Sequence, residues 1–548
     1  MKKFLYICVV IVFVLSYFRV PFLFFQQDEI MGMGLFIRDG AKVVLTGLGS
    51  NAVTHFVPLT LSISYLIFRI FGMKYWIFNL VGLSFHLING LLVYQISKRI
   101  FKKEILAIIS VLVFFSFSGA SELIMWPVVN INSVALTFSL VIWLILIDGK
   151  ILPMLEGFWR GLVVSSLFLL ALFSVEYSAG LILFIPLLVL LRKGESIKDK
   201  IKILIPYILV VLAYLFFRFI PFLHSQVPVV NSQSNVLFPI RVFSLVVKYF
   251  GQLFLGQSIV LFLSRFVQIF AGLSGMGSAY AENYLSPIIS EVAGIALFVI
   301  SALIYLRLKV KRPVYAKGFL LCVLFIVFSS LPFLLVPEGT GLSPVIASRY
   351  LYFGLVGMAI FVTYILDIFV SSKKKRVSYA IAVLVSMLVF FGTITNYKRA
   401  NQLYLQGILR LKILNSIKSK YSTLPNKVIF YTESDSSYYG LPDEDKILPF
   451  QSGFGQTLLV YYSISENFPR DFLPGDYLWD ITSQGYKEAG GRGFGYFRNF
   501  DMVVKTIQEY RLEKESVIAY KFSSYSNTLT DITQDVRGKI GAKMIKSK

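Results

Sequence analysis

Residues 4–30 have the sequence FLYICVVIVFVLSYFRVPFLFFQQDEI, in which a long apolar run ends in two adjacent carboxylates, Asp28 and Glu29. The run is longer than the apolar core of a secretory signal and lacks a small-residue cleavage site, so we interpret it as a retained transmembrane helix. Lys2 and Lys3 precede it, and the positive-inside rule predicts a cytoplasmic N-terminus. The carboxylate pair is therefore expected on the outer side, either as an interfacial cap of the helix or as a catalytic group.

The composition of the whole chain is typical of a protein that crosses the bilayer many times. Of its 548 residues, 56% are hydrophobic and 15% are charged, whereas about a quarter of the residues of a soluble protein are charged. The net charge of +23 is concentrated in short basic loops between apolar runs, which indicates membrane topology rather than nucleic-acid binding. The two cysteines lie in apolar runs and the three histidines are far apart, so the sequence contains neither a disulfide framework nor a Cys or His metal motif.

Apolar runs over residues 1–395 predict about eleven transmembrane helices, with the N-terminus inside and the C-terminus outside. The predicted spans are 4–25, 75–96, 106–118, 131–147, 161–174, 178–191, 203–223, 287–306, 319–336, 350–370 and 379–394. Counting the apolar run 59–71 as a further span would place the basic loop 98–103 outside. We therefore predict that 59–71 is an interfacial helix within a first outer loop of residues 26–74.

Two further regions are predicted to lie outside the membrane. Residues 224–286 form a second large outer segment, whose apolar part 242–271 is interrupted by polar side chains and is predicted to be interfacial or partly re-entrant. Residues 396–548 form a small extracytoplasmic α/β domain. Its predicted elements are helices 399–420 and 502–512, strands 428–431, 457–461 and 517–522, and a loose basic tail after Asp535. The predicted fold class is thus an all-α polytopic membrane protein with a C-terminal α/β domain.

On this topology, polar side chains from separate segments share the outer membrane face. They are Asp28, Glu29, His55, Glu122, Glu176, Arg218, Glu291 and Arg349, with Trp126 and Tyr350 beside them. Polar groups near lipid are costly, so their gathering favours a functional site. Each also has a structural alternative: the glutamates as loop or cap residues, the arginines as snorkelling cations, and His55 as an N-cap or interface residue. We interpret His86, in the middle of a span, as a hydrogen bonder between packed helices.

The order of these features resembles the GT-C superfamily of membrane glycosyltransferases. The resemblance is greatest to the protein O-mannosyltransferases, the cadherin-type O-mannosyltransferases with tetratricopeptide repeats, and their bacterial relatives. It rests on residues 1–370, in the motifs Asp28-Glu29, His55-Phe-Val-Pro58-Leu59, Phe85 to Tyr94, Ser174-Val-Glu176 and Ser348-Arg349-Tyr350-Leu-Tyr352. The chain departs from the family at Val175, where relatives often have Lys, and at the single Pro58, where many have Pro-Pro. The C-terminal region contains no tetratricopeptide pattern.

The resemblance implies inverting transfer of a sugar from a polyprenyl-phosphate donor to an acceptor hydroxyl of a glycan, lipid or protein on the outer face. An acceptor hydroxyl is a poor nucleophile, and a carboxylate general base would take its proton. We assign that role to Asp28, with Glu29 as the second candidate. Arg349, assisted by Arg218, would bind the donor phosphate, and His55, Glu122, Trp126, Glu176 and Tyr350 would line the substrate site. No cofactor is required, although a divalent cation bridging Asp28, Glu122 and the phosphate is an alternative.

Three other functions fit parts of the sequence. A transporter or flippase for lipid-linked sugars would need polar groups near the bilayer midplane and often shows internal repeats, which the sequence lacks. An envelope polysaccharide polymerase or ligase would use the same donors. A non-catalytic scaffold would use Asp28 and Glu29 only to cap the first helix. The outer-face position of the polar residues favours the glycosyltransferase.

Overall fold

The computed structural model describes residues 2–26, 28–46, 56–148, 156–192, 194–224, 238–335, 346–370, 375–466, 468–473 and 477–546. Up to residue 420 these residues are helical. Helices α1 to α10 are Lys2–Tyr17, Asp28–Asp39, Lys42–Thr46, Pro58–Phe71, Tyr75–Phe101, Glu104–Ser116, Ser121–Met125, Ser133–Ile147, Gly157–Ser174 and Leu181–Leu190. Helices α11 to α18 are Ile197–His224, Phe238–Leu255, Gln257–Phe270, Gly277–Tyr280, Ser286–Lys311, Pro313–Ser330, Gly354–Val370 and Lys375–Lys420.

The remaining described residues form an α/β unit. Its elements are β1 Lys427–Ser434, α19 Phe454–Ser463, β2 Gly485–Ala489, β3 Arg492–Phe497, α20 Phe500–Tyr510, β4 Val517–Ser523, β5 Thr528–Asp531 and α21 Thr533–Lys546. The five strands form one sheet in the order β2-β3-β1-β4-β5. The central strand β1 runs parallel to β3 and β4, and the two edge strands are antiparallel to their neighbours.

The structure confirms the predicted fold class. Among the described residues, eight helices are long and apolar enough to cross a membrane. Three shorter apolar segments, α6, Glu176–Leu190 and α17, fall on the other three predicted spans. All eleven predicted spans therefore coincide with an apolar helix, and the chain is a multi-pass membrane protein. Its N-in/C-out orientation stays a prediction.

Two apolar segments, one of a single helix and one of two helices, fall on the regions predicted to be interfacial or re-entrant. Helix α4 has 14 residues, which at about 1.5 Å per residue is shorter than the hydrocarbon core; α6, which falls on a predicted span, has only 13, so length alone does not separate the two. Helices α12 and α13 meet at a bend of 99°. The bend lies at Gly256, whose φ of +75° belongs to the left-handed region that glycine adopts without strain. These helices match the predicted interfacial and re-entrant segments, and their depth in the membrane stays a prediction.

Both faces of the sheet are covered, which follows from the alternation of side chains along its strands. Val428 and Phe430 of β1 pack in one hydrophobic core with the end of α18 and with α19. Ile429 and Tyr431 point to the other face and pack with α20 and α21. The sheet is therefore a central layer between two helical layers.

Three local predictions for the C-terminal region need correction or extension. Residues 457–461, predicted as a strand, belong to α19; every residue of this run is buried or half-buried, so its hydrophobic pattern could not separate strand from helix. The tail after Asp535 is not loose, because Val536 and Ile540 anchor α21 in the core. Helix α18 is continuous from the last predicted span into the predicted helix 399–420 and crosses the predicted domain boundary at residue 395. The strand predictions 428–431 and 517–522 are confirmed as parts of β1 and β4.

Candidate functional site

Arg349 occupies a short 3₁₀ turn, Ser348–Leu351, that leads into α17. Its guanidinium lies 5.3 Å from the ring centre of Trp126 and 4.9 Å from that of Tyr350. Cations at such distances from aromatic faces are attracted by the ring electrons. The side chain remains 31% exposed. Three residues predicted to belong to the site, Arg349, Trp126 and Tyr350, are therefore in contact, and the cation is fixed while still accessible.

Glu122 of α7 holds this turn by both carboxylate oxygens. Arg349 Nη1 donates to Glu122 Oε1 at 2.9 Å, and the Ser348 hydroxyl donates to Oε2 at 2.6 Å. The backbone N–H of Arg349 also donates to Oε2, at 3.3 Å. These bonds join two segments that are 227 residues apart in the sequence. Glu122 is thus a structural partner of the predicted phosphate-binding arginine.

The electrostatics of this pair favour the charged forms. Burial alone would raise the pKa of Glu122, but the Ser348 hydroxyl and the guanidinium groups of Arg349 and Arg399 outweigh burial and lower it below its ordinary value of 4.5. Arg399 comes from α18, so a second cation lies near the same carboxylate. At neutral pH the site therefore contains an ionised glutamate between two arginines.

Helix α12 supports the opposite side of the turn. The Tyr249 hydroxyl donates to the carbonyl of Tyr350 at 3.0 Å and accepts from the N–H of Gly354 at 3.2 Å. Three residues further along α12, the buried Gln252 accepts from the N–H of Ile346 at 2.9 Å. The backbone around Arg349 is thus held between α7 and α12, and the second outer segment supports the site.

The carboxylate end of α2 is joined to α7 through Gln26. The Gln26 side chain donates to the Met125 carbonyl at 3.0 Å, and its backbone N–H donates to Glu29 Oε2 at 3.2 Å. Glu29 is buried, with 4% of its surface exposed. Asp28 opens α2, but its side chain lies outside the described residues. The first outer loop therefore brings Glu29 to the segment that carries Glu122.

Glu176 reaches the site through its neighbour Tyr177. The Tyr177 ring lies 5.9 Å from the Tyr350 ring and 5.4 Å from that of Phe353. The start of α4 is joined to the same region, since the Thr60 hydroxyl donates to the Ser174 carbonyl at 2.5 Å. His55, which precedes α4, lies outside the described residues, as does the side chain of Arg218. Their predicted roles stay predictions.

The hydrogen bond predicted for His86 is present beneath the site. His86 Nδ1 lies 2.8 Å from the Tyr352 hydroxyl, and Asn89 donates to that hydroxyl at 3.1 Å. Tyr352 follows the Arg349 turn directly. His86 therefore packs the transmembrane helices together and supports the turn from within the bundle.

Ser348 was part of a motif noted in the sequence, but no role was predicted for several other side chains near the site, namely Gln26, Tyr249, Gln252, Arg399 and Arg410. Arg399 and Arg410 are separated by about three helical turns of α18, so they lie on one side of it. Their neighbours differ, because the charge of Arg399 acts on Glu122 and that of Arg410 acts on Glu29. Among the described residues, no group of three or more His, Cys, Asp or Glu side chains is arranged to hold a metal ion.

Comparison with known proteins gives matches among solved structures. No family model matches the chain, and no curated protein does. The chain is similar to the crystal structure of ArnT from Cupriavidus metallidurans bound to undecaprenyl phosphate, with 11% sequence identity, a TM-score of 0.38, and coverage of 84% of this chain and 85% of that one. For apo ArnT from the same organism the values are 12% identity, a TM-score of 0.40, and coverage of 95% of this chain and 93% of that one. Structural similarity at these TM-scores and identities does not establish a function for this chain.

Proposed function

We propose that the chain is an integral-membrane glycosyltransferase that moves a sugar from a polyprenyl-phosphate donor to an acceptor hydroxyl on the outer membrane face. The observation that carries the proposal is the Arg349 turn. An arginine is held there by Glu122, stacked against two aromatic rings and left partly exposed, at the end of a helical membrane bundle. The start of α2, with its two carboxylates, is joined to the same α7 segment.

Arg349 suits the phosphate of the donor. A guanidinium stays charged at all accessible pH values and offers a planar set of N–H donors that matches phosphate oxygens. Its Nη1 is engaged by Glu122, which fixes the plane of the group before the donor arrives. A fixed cation stabilises the charge that develops on the leaving phosphate, and a preorganised donor needs little rearrangement as the bond breaks.

Asp28 suits the general base better than Glu29. Glu29 Oε2 already accepts the backbone N–H of Gln26, and the side chain is buried. A base must reach the acceptor hydroxyl, either directly or through one water. We therefore assign Asp28 to proton removal and Glu29 to the shape of the helix start. The acceptor oxygen attacks the anomeric carbon as the bond to phosphate breaks, and the proton passes to Asp28, so the sugar inverts its configuration.

The outer surface of the bundle suits a lipid-linked donor. Helix α1 exposes apolar side chains along most of its length, including Phe4, Ile7, Val10 and Ile11. Exposed apolar surfaces mark sites of contact with a membrane or with another protein, and the apolar spans of this chain favour a membrane. A polyprenyl tail can therefore remain in the membrane while its phosphate reaches Arg349 at the end of the bundle.

The proposal is tested with the purified full-length chain in lipid nanodiscs and a panel of polyprenyl-phosphate sugars. Asp28→Asn should lower the transfer rate at least about 10²-fold, the usual minimum contribution of a general base. Asp39→Asn, at the other end of the same helix, is the matched control and should retain transfer. Transfer at the wild-type rate by Asp28→Asn would exclude Asp28 as the base. Absence of transfer from every donor by a folded wild-type chain would contradict the glycosyltransferase itself.

A further inference from the structure

The α/β unit and the first outer helix share one hydrophobic core. Ile30 and Met33 of α2 are almost fully buried and belong to the same cluster as Leu459 and Val460 of α19 and Leu473. Helix α2 therefore does not pack only on the membrane bundle. The chain segment that carries the two carboxylates forms part of the core of the C-terminal unit.

Gly34 allows the two helices to approach closely. A Cβ atom added at Gly34 would lie 3.1 Å from Val460 Cγ2 and 3.7 Å from Leu473 Cδ2. A Cβ at Gly32, two residues earlier on the same helix, would meet nothing within 4 Å. The contact is therefore specific to one face of α2. At the end of that helix, Arg38 Nη1 donates to the Leu473 carbonyl at 3.3 Å.

Arg410 provides a polar connection to the start of α2. It is 2% exposed, and its Nη1 donates to the carbonyl of Gln26 at 3.0 Å. Its charge also interacts with that of Glu29. Since Gln26 additionally bonds to Met125 of α7, the guanidinium of Arg410 holds the residue that joins α2 to the Glu122 segment. A buried guanidinium that bonds to a backbone carbonyl fixes that carbonyl in place, because releasing it would leave polar groups unsatisfied.

We propose that the C-terminal α/β unit, through α19 and together with Arg410, is a positioning device that holds the Asp28-Glu29 end of α2 beside the Arg349 site. Arg410 and Gly34 are positioning residues; neither touches substrate in this proposal. The role of this packing in catalysis rests on the proposed glycosyltransferase function. The packing of α19 on α2 does not depend on that function.

Disulfide cross-linking tests the packing without any activity. In a chain with Cys8→Ser and Cys322→Ala, the pair Gly34→Cys and Val460→Cys should form a disulfide under mild oxidation, because 3.1 Å from Cβ to the opposite γ position is within the reach of a disulfide. The pair Gly32→Cys and Val460→Cys is the control and should stay reduced. Linked peptides are identified by mass spectrometry. Equal linking of both pairs, or none of the first, would overturn the proposed contact.

Matched substitutions on α2 test the positioning. Gly34→Val should lower kcat for sugar transfer by about tenfold or more, since small displacements of reacting groups are costly, and should leave the KM for the donor within about twofold. Gly32→Val carries the same helix penalty and should behave as wild type. Val460→Ala in the Gly34→Val chain removes the obstructing methyl groups and should restore most of kcat. Equal kcat values for the two valine variants, or failure of Val460→Ala to rescue, would refute the positioning role.

Arg410→Met, compared with Lys412→Met on the exposed side of the same turn, tests the polar connection. The expected result is a kcat loss of about tenfold for Arg410→Met alone, with partial recovery in Arg410→Lys. A loss confined to the KM for the donor would refute the positioning role of Arg410. If the wild-type chain transfers no sugar while the Gly34 and Val460 cysteines still cross-link, the proposed function fails and the packing contact stands.

Discussion

Replacement of Arg349 gives the sharpest test of the site, because the structure predicts an effect that depends on its partner. In the folded chain, Glu122 Oε1 accepts from Arg349 Nη1 at 2.9 Å, and the glutamate side chain is 19% exposed. Arg349→Ala removes the proposed phosphate contact. It also leaves a largely buried carboxylate beside the place where the anionic phosphate should bind.

The free-energy cost of losing the phosphate contact and of leaving the Glu122 carboxylate beside the phosphate can be worked out. A hydrogen bond to a charged group contributes about 1.5–3 kcal/mol, and two like charges about 4 Å apart in water repel by about 1 kcal/mol. Taken together, about 2.5–4 kcal/mol is expected, which corresponds to a fall of about 10²- to 10³-fold in kcat/KM for the donor. Arg349→Lys keeps the charge but loses the planar donor set and should fall about tenfold. The double variant Arg349→Ala/Glu122→Ala removes the repelling carboxylate and should transfer about fivefold faster than Arg349→Ala.

The assay measures initial rates of sugar transfer in nanodiscs over a range of donor concentrations, with thermal unfolding of each variant as the check on folding. The decisive comparison is the double-mutant cycle between Arg349 and Glu122. If the two single losses add in the double variant, the residues do not act on one phosphate. A donor KM and kcat unchanged in Arg349→Ala would refute the phosphate role altogether.

Three further predictions concern support, topology and pH. Gln252→Leu leaves the buried N–H of Ile346 without its acceptor, so thermal unfolding should show a loss of about 1–3 kcal/mol; an unchanged unfolding temperature would contradict the role of α12. In a chain without its native cysteines, Lys412→Cys should react with a membrane-impermeant maleimide added outside, and Lys102→Cys should not; the reverse pattern would overturn the orientation. The pKa of Glu122 is lowered from 4.5 in the folded chain, so its stabilising contribution is present above that value and is lost as the pH falls through the folded pKa. Wild type should therefore lose more stability than Glu122→Gln on going from neutral pH to below 4.5, and parallel losses would argue against the ion pair.

The transmembrane helices could be predicted from the sequence because hydropathy changes over whole helices and the loops between them differ in charge. The loops 98–103 and 307–312 are basic, and this asymmetry is the basis of the prediction that α4 does not cross the membrane. The C-terminal unit was harder to predict, because most of its elements are short and buried. The run 457–461 has no polar face that would reveal a helical period. The edge strands β2 and β5 have only five and four residues, too few for a clear alternating pattern.

The site was only partly predictable, for a related reason. The shared outer face predicted that Glu122, Trp126, Arg349 and Tyr350 would gather, and their contacts agree with that. The supporting bonds from Tyr249 and Gln252 come from α12, which is 101 and 94 residues from its partners near Arg349 in the sequence. Such bonds arise from tertiary packing and leave no local pattern in the sequence.

We expect Asp28 and Glu29 to have different roles, because the two residues need not act as one unit. Glu29 Oε2 accepts the backbone N–H of Gln26, three residues earlier, across the start of α2. Glu29 therefore has a structural contact at the start of α2, and the division of roles between Glu29 and Asp28 stays a prediction. Substitution of each should then separate the roles: Glu29→Gln should lower the unfolding temperature more than Asp28→Asn does, and Asp28→Asn should lower transfer more than Glu29→Gln does. Equal effects on both measurements would mean that the pair acts as one unit, and that the helix start and the catalytic base cannot be assigned to different side chains.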